Sequence, residues 1–199
     1  MVSAGASSTI AISLGQSIQN VDQALSIVTA LLRISEIRHT RRRSEFIAFD
    51  LEDVLRETGE SYQAVADEKG VALTWFAERY ATILGDRQLI VEALVNVVDN
   101  AVKFTPGGGQ VCIELRGSPG QPVLMVADSG PGIAPDERLT VFKPFHRGES
   151  SRTTPGSGLG LSLVVEIMRL HGFSVVIGDN RPGCRIELLC WPGSIAHLA

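Results

Sequence analysis

No stretch of this 199-residue sequence approaches the 18 or more consecutive apolar residues of a membrane span. Its first fifteen residues, MVSAGASSTIAISLG, lack the charged start and the continuous apolar run of a signal peptide. The expectation is a cytoplasmic chain with no direct membrane contact of its own, the full-length protein being free to carry an inner-membrane anchor elsewhere. Cysteine is scarce. Cys112, Cys184 and Cys190 are an odd number at spacings of 72 and 6, which fit neither a disulfide framework nor a CxxC metal site and point to a reducing compartment. Basic charge is in deficit: 18 Lys and Arg against 22 Asp and Glu give a net charge of −4, which excludes the broad basic surface of a nucleic-acid binder. Internal repeats and low-complexity tracts are missing as well. What is present, 44% hydrophobic and 20% charged residues, is enough to bury a core at this length and excludes disorder as the main state.

Over residues 16–43, Ile18, Val21, Leu25, Val28 and Leu32 recur at steps of 3 and 4, one seam along a helix that needs a partner. The partner is either the core of the same domain or the matching helix of a dimeric bundle. The run Arg41-Arg42-Arg43 suits a solvated helix end, and a linker is expected after it. From residue 46 short apolar runs alternate with helices. FIAF, VALTWF and ATIL read as strands, 50–68 and 86–104 as helices, and VCIEL and VLMVAD as a hairpin around GSPGQ. A polar, glycine-rich stretch at 129–158 opens onto a helix over 159–171, and FSVVIG and CRIELLC close the chain around the turn DNRPG. Strands that follow one another without an intervening helix cannot all be parallel. The expected fold is therefore an α/β (α+β) two-layer sandwich, a mixed β-sheet covered by helices on one face and preceded by a long N-terminal helix.

Three segments carry candidate chemistry. The mainly apolar helix 86–104 sets Glu92, Asn96, Asn100 and Lys103 on one face. A buried amide without a partner costs about 1 to 3 kcal/mol, so the two asparagines need either carbonyls of a neighbouring loop or a ligand. An amide oxygen suits a hard cation such as Mg2+, and an ammonium suits phosphate oxygens. In the second segment an apolar strand ends in Asp128 and runs into Gly130 and Gly132, whose missing side chains exclude a calcium loop. The carboxylate either starts a turn or accepts a hydrogen bond from an inserted planar ring. In the third, Gly156, Gly158 and Gly160 open a helix, the kind of terminus that binds phosphate. A dinucleotide fold with Asp179 as its ribose-binding acid is disfavoured, because Leu161 and Leu163 stand where its third glycine would fall and no strand precedes the loop. Between the glycine loops, Phe142 and Phe145, followed by Arg147 and Arg152, read as anchors of a flap or as core filling under it.

In this order the segments resemble the ATP-binding catalytic domain of two-component sensor histidine kinases, of the GHKL superfamily. NVVDNAVKFT is similar to that family's asparagine box, DSGPG to its first glycine box, FKPF to its phenylalanine box and GSGLGL to its second glycine box. The resemblance runs from about residue 20 to 191, since the seam helix and ISEIRHTRR look like the end of a dimerisation and phosphotransfer bundle. It implies two parts, 1–45 as partial bundle helix and linker and 46–195 as catalytic domain. It further implies ATP and Mg2+ as cofactors, with Asn100 as the metal ligand and Asn96 and Lys103 at the phosphates in the catalytic step. Phe104 would lie against the nucleotide and Asp128 would accept from the adenine amine. Gly130 and Gly132 would shape the adenine pocket, and Phe145, Arg147, Gly156, Gly158, Gly160 and Leu161 would complete the nucleotide contacts of the flap. Implied partners are an acceptor-histidine helical bundle of the same protein, a homodimer at full length, and a response regulator.

Hydrolysing relatives of the superfamily are expected to carry Glu four residues before the metal-binding Asn, where this chain has Asn96, and an amide cannot act as a general base. That favours a histidine protein kinase over an ATPase. None of His39, His146, His171 or His197 has the acid, Arg and Pro setting of the family's acceptor. The expectation is a piece of chain that starts in or just before the second bundle helix, binds ATP and does not phosphorylate itself. The alternative is a nucleotide-binding regulatory module without transfer; an anti-sigma Ser/Thr kinase is disfavoured by the bundle-like helix.

Overall fold

The computed structural model of the chain describes residues 21, 24–25, 27–37, 46–78, 81–146 and 157–193. Helix α1 is described over 27–37, and residues 21, 24 and 25 share its helical state. Then follow β1 (Ile47–Asp50), α2 (Leu51–Lys69), β2 (Ala72–Ala77), β3 (Thr82–Gly85), α3 (Arg87–Phe104), β4 (Gln110–Ser118) and β5 (Gln121–Asp128). The chain closes with α4 (Gly160–His171), β6 (Ser174–Asp179) and β7 (Cys184–Leu189).

The helix boundaries obey local chemistry. Asp50 caps α2 by accepting from the Glu52 N–H at 2.8 Å, and Asp86 caps α3 by accepting from the Leu89 N–H at 3.1 Å. Gly70 and Gly172 end α2 and α4 in the left-handed conformation, where a side chain would be strained.

Five strands form one sheet in the order β2-β4-β5-β7-β6. β2 lies parallel to β4, and every other pairing is antiparallel. The parallel pair is possible because β3 and α3 intervene, supplying the long crossover that parallel strands need. On β4 the side chains of Val111, Ile113 and Leu115 are buried and alternate with half-buried Cys112, Glu114 and Arg116, the signature of a sheet covered on one face. The covering layer is α2, α3 and α4, and a single core joins Leu51, Leu55, Leu89, Leu94, Ile113, Leu124, Ile167 and Leu188. The two-layer sandwich expected from the sequence is thus the fold.

Two arrangements go beyond the expectation. β1 and β3 leave the main sheet and pair with each other as an antiparallel ribbon, Ala48 opposite Leu84 and Phe49 opposite Ile83. The seam of α1 points away from the domain core: Val21, Leu25, Val28 and Leu32 are 53–61% exposed. The opposite side packs inward instead, with Ile34 and Ile37 buried and Ile27 and Ala30 beside them. Of the two partners open to the seam, the core of this domain is excluded. Ile18 and His39 lie outside the described residues.

Candidate nucleotide site

Helix α3 organises the site. Its buried stripe, Leu89, Ile90, Ala93, Leu94, Val97, Val98, Ala101 and Val102, locks the helix onto the sheet and leaves Asn96, Asn100, Lys103 and Phe104 half-buried at one edge. Asn96 Nδ2 donates to the Glu92 carbonyl at 2.8 Å, one turn back in its own helix, and its Oδ1 faces Gly160 at the start of α4. A neighbouring loop, the other partner open to these amides, does not supply that bond. Among the described residues the Asn100 amide makes no hydrogen bond. Glu92, on the same face, is engaged elsewhere: Arg33 of α1 donates to its Oε2 from Nη2 at 3.1 Å and from Nε at 3.2 Å.

The first turn of α4 closes on the two asparagines. A Cβ at Gly160 would lie 3.0 Å from Asn96 Oδ1 and 3.7 Å from Asn100 Nδ2, so any larger residue there would press on the Asn96 amide. The terminus has no side-chain cap; Ser162 Oγ donates to the Leu159 carbonyl rather than accepting from the first N–H groups. An uncapped helix start, whose N–H groups and dipole favour an anion, therefore faces two amides.

Asp128 marks the other end of the site. It is the last residue of β5 and only 9% exposed. Its Oδ1 accepts from the Gly130 N–H at 2.8 Å and from the Cys184 N–H at 3.2 Å, which leaves Oδ2 as the oxygen available to a ligand. Burial raises the pKa of this carboxyl, and the two backbone donors offset part of the rise. A Cβ at Gly130 would stand 3.0 Å from the Phe104 carbonyl oxygen, so the loop after Asp128 lies against the end of α3. Gly132 takes a positive φ of 74°. From Asn96 to Phe104 is about 12 Å along α3, at 1.5 Å per residue.

Other expected residues fall as follows. Lys103 Nζ sits 5.5 Å from the centroid of the Phe104 ring. Phe142 packs on the core, whereas Phe145 is 53% exposed with a φ of 65°, held by its N–H donating to the Gly158 carbonyl at 3.0 Å. The two phenylalanines thus divide the two readings between them. Leu161 packs beside the core from the first turn of α4. Arg147, Arg152 and Gly156 lie outside the described residues. His171 is a core residue: its Nδ1–H donates to the Ile167 carbonyl at 2.7 Å, and Nε2 accepts from the Asp86 N–H at 3.0 Å. Burial pushes the Cys184 and Cys190 thiols up to about 12, so neither is poised as a nucleophile.

One contributor had no signal of its own in the sequence. Lys69, in the last turn of α2, donates from Nζ to the Val102 carbonyl at 2.7 Å and also to the Lys103 carbonyl. With Thr105 donating from N and Oγ1 to the Ala101 carbonyl, it satisfies the end of the helix that bears Lys103 and Phe104. A Lys just before a C-terminal glycine announces the end of its own helix; that it serves a second helix is visible only in the fold.

Two amides of α3, the uncapped start of α4 and the buried carboxylate at the end of β5 thus lie along one edge of the sandwich. Residues 85–194 match the family model described as histidine kinase-, DNA gyrase B- and HSP90-like ATPase. Among curated proteins, the signal transduction histidine-protein kinase/phosphatase MprB of Mycobacterium ulcerans is 46% identical over 102 residues, covering 51% of this chain and 20% of that protein. The sensor-like histidine kinase SenX3 of Mycolicibacterium smegmatis is 31% identical over 159 residues, 79% of this chain and 41% of that one. Of the solved structures, a mycobacterial sensor histidine kinase MprB aligns with a TM-score of 0.68 at 31% identity, over 73% of this chain and 99% of that chain. Full-length ShkA in complex with AMPPNP aligns with a TM-score of 0.74 at 27% identity, over 94% of this chain and 40% of that one. The chain belongs to the family of histidine kinase-, DNA gyrase B- and HSP90-like ATPases, and its fold is that of the ATP-binding catalytic domain of sensor histidine kinases. It spans only a fifth of the length of the MprB relative. Among the described residues no helix is long and apolar enough to cross a membrane.

Proposed function

We propose that this chain binds Mg-ATP along α3 and donates the γ-phosphate to a histidine on a helical bundle, for relay to a response regulator. The observation that carries the proposal is the approach of Gly160 to Asn96 and Asn100, which sets a helix N-terminus against two amides. The adenine end lies at Asp128, whose Oδ2 accepts from the 6-amino group, with Phe104 and the Gly130–Gly132 loop beside it. The distance from that end to Asn96 fits an extended nucleotide laid along the helix.

The residues fit the metal as well. Among the described residues no three acidic, His or Cys side chains cluster into a metal cage, and Mg2+ typically takes few protein ligands beside phosphate oxygens and water. The Asn100 amide oxygen is the ligand it would take here. Bound there, Mg2+ supplies neutralisation of the charge on the transferring phosphoryl group. Asn96 and Lys103 position the phosphates, and the N–H groups at the start of α4 bind them. Asn96 occupies the place from which a carboxylate would activate water, and its amide cannot take a proton, so the site favours transfer over hydrolysis.

The exposed α1 seam supports a bundle partner at the other end of the transfer; the division into 1–45 and 46–195 is what the resemblance implies. The ion pair from Arg33 to Glu92 holds α1 one helical turn from Asn96, beside the phosphate end of the site. The test is to mix the chain with a separately made bundle carrying the acceptor histidine and radiolabelled ATP. Acid-labile phosphohistidine on the bundle is the expected product. Saturable ATP binding without it would leave a regulatory nucleotide-binding module.

A further inference from the structure

The β6–β7 turn is fastened to the strand end that bears Asp128. Asn180 Nδ2 donates to the Asp128 backbone carbonyl at 2.8 Å, and the Cys184 N–H, where β7 begins, donates to Asp128 Oδ1 at 3.2 Å. Between them Gly183, with a φ of 116°, lies so close that a Cβ would stand 1.7 Å from the Asp128 carbonyl oxygen. Gly132 meets the turn from the other side, a Cβ there lying 3.0 Å from the Gly183 carbonyl oxygen. The turn is closed within itself by the Asn180 N–H donating to the Gly183 carbonyl at 3.1 Å. Asp179, at its start, pairs with Arg138, whose Nε donates to the Ile133 carbonyl at 3.2 Å.

Asn180 is exposed and is not among the residues of the core, so its side chain is not needed to complete it. What it does hold is one peptide plane. The peptide joining Asp128 to Ser129 is pinned at its oxygen by Asn180 Nδ2 and at its nitrogen by the Ser129 N–H donating to the Gln110 carbonyl at 3.0 Å. That plane sets where the next N–H groups point, including the Gly130 N–H that grips Asp128 Oδ1. Releasing the oxygen leaves the plane hydrogen-bonded only at its nitrogen, which loosens the aim of the Gly130 N–H, one of the two donors that decide which carboxylate oxygen faces outward.

We propose that Asn180 is a positioning residue for base recognition, fixing through the Asp128–Ser129 peptide the direction of the free Asp128 oxygen and so the preference for a 6-amino over a 6-oxo purine. This deepens the ATP-site reading above and rests on it. The experiment is calorimetric titration of the 199-residue chain, unaltered and as Asn180→Ala and Asn180→Asp, with ATP and with GTP in the presence of Mg2+. Asn180→Asp keeps the shape of the side chain but cannot donate to a carbonyl. Both variants should lose ATP affinity by about three- to tenfold, the worth of one neutral hydrogen bond, while GTP changes little and the ATP-over-GTP ratio narrows. The thermal midpoint should fall by no more than the loss of that one hydrogen bond accounts for. An unchanged ratio, or an equal loss for both nucleotides with a midpoint lowered beyond that, overturns the positioning role. Failure of the unaltered chain to bind ATP overturns the nucleotide reading itself and the inference with it.

Discussion

Replacing Asp128 by Asn separates binding from stability. The two backbone donors on Oδ1, from Gly130 and Cys184, select an oxygen, so the new amide keeps its carbonyl there and presents its NH2 where Oδ2 had been. An adenine 6-amino group then meets a donor instead of an acceptor. Losing a hydrogen bond to a charged group costs about 1.5 to 3 kcal/mol, and about 2 kcal/mol corresponds to a roughly 30-fold rise in Kd for ATP. GTP, whose 6-oxo group accepts from the same NH2, should gain, so that the preference shrinks or inverts. Stability should move the other way. Burial disfavours the ionised carboxyl in the folded chain, and a neutral group of the same shape removes that cost, so the thermal midpoint at pH 7 should hold or rise. Competition between ATP and GTP for a fluorescent nucleotide, run beside thermal unfolding, reads both quantities. Unchanged ATP affinity, or a loss accompanied by unfolding, would refute the assignment of Asp128 to the base.

Three further outcomes follow from the same geometry. Gly160→Ala places a methyl 3.0 Å from Asn96 Oδ1, at a helix start where Ala is otherwise favourable; Mg-ATP affinity should fall about tenfold with little change in unfolding free energy. Lys69→Met removes the cation from the end of α3 and should cost about 1 kcal/mol, read as a lower denaturant midpoint, and Lys69→Arg should restore it in part. The raised pKa of Asp128 gives opposite pH trends. The folded chain holds that proton to higher pH than the unfolded chain does, so this group's contribution to stability falls as pH rises from the ordinary carboxyl range through the raised value. ATP affinity, which needs the carboxylate, should climb over the same interval, and parallel unfolding and binding curves in which both rise would contradict the assignment.

Much of this was legible in local patterns. α3 could be bounded from Asp86, whose side chain caps it, to Phe104, because caps and a 3.6-residue apolar stripe are short-range signals. The hairpin of β4 and β5 showed in its glycine turn, and the asparagine face of α3 in its spacing. What the sequence left open depends on residues far apart. FIAF and ATIL read correctly as strands, yet nothing local says that they pair with each other rather than joining the main sheet. The α1 seam was visible as a stripe, but which stripe meets the core is decided by Ile34 and Ile37 on the opposite side. Asn180 reaches Asp128 across 52 positions, and Lys69 reaches Val102 across 33, distances at which no periodicity speaks. Each contact joins the nucleotide site to an element whose own sequence reads as an ordinary turn or helix end.

The asparagine face of α3 is proposed to receive a magnesium-bearing triphosphate. Calorimetric titration of the chain with ATP, with and without Mg2+, against Asn100→Ala tests it most directly. The unaltered chain should show one saturable site that tightens with Mg2+, and the variant should be fully folded with that magnesium-dependent gain gone. Equal affinity and equal magnesium dependence in the two proteins would contradict it.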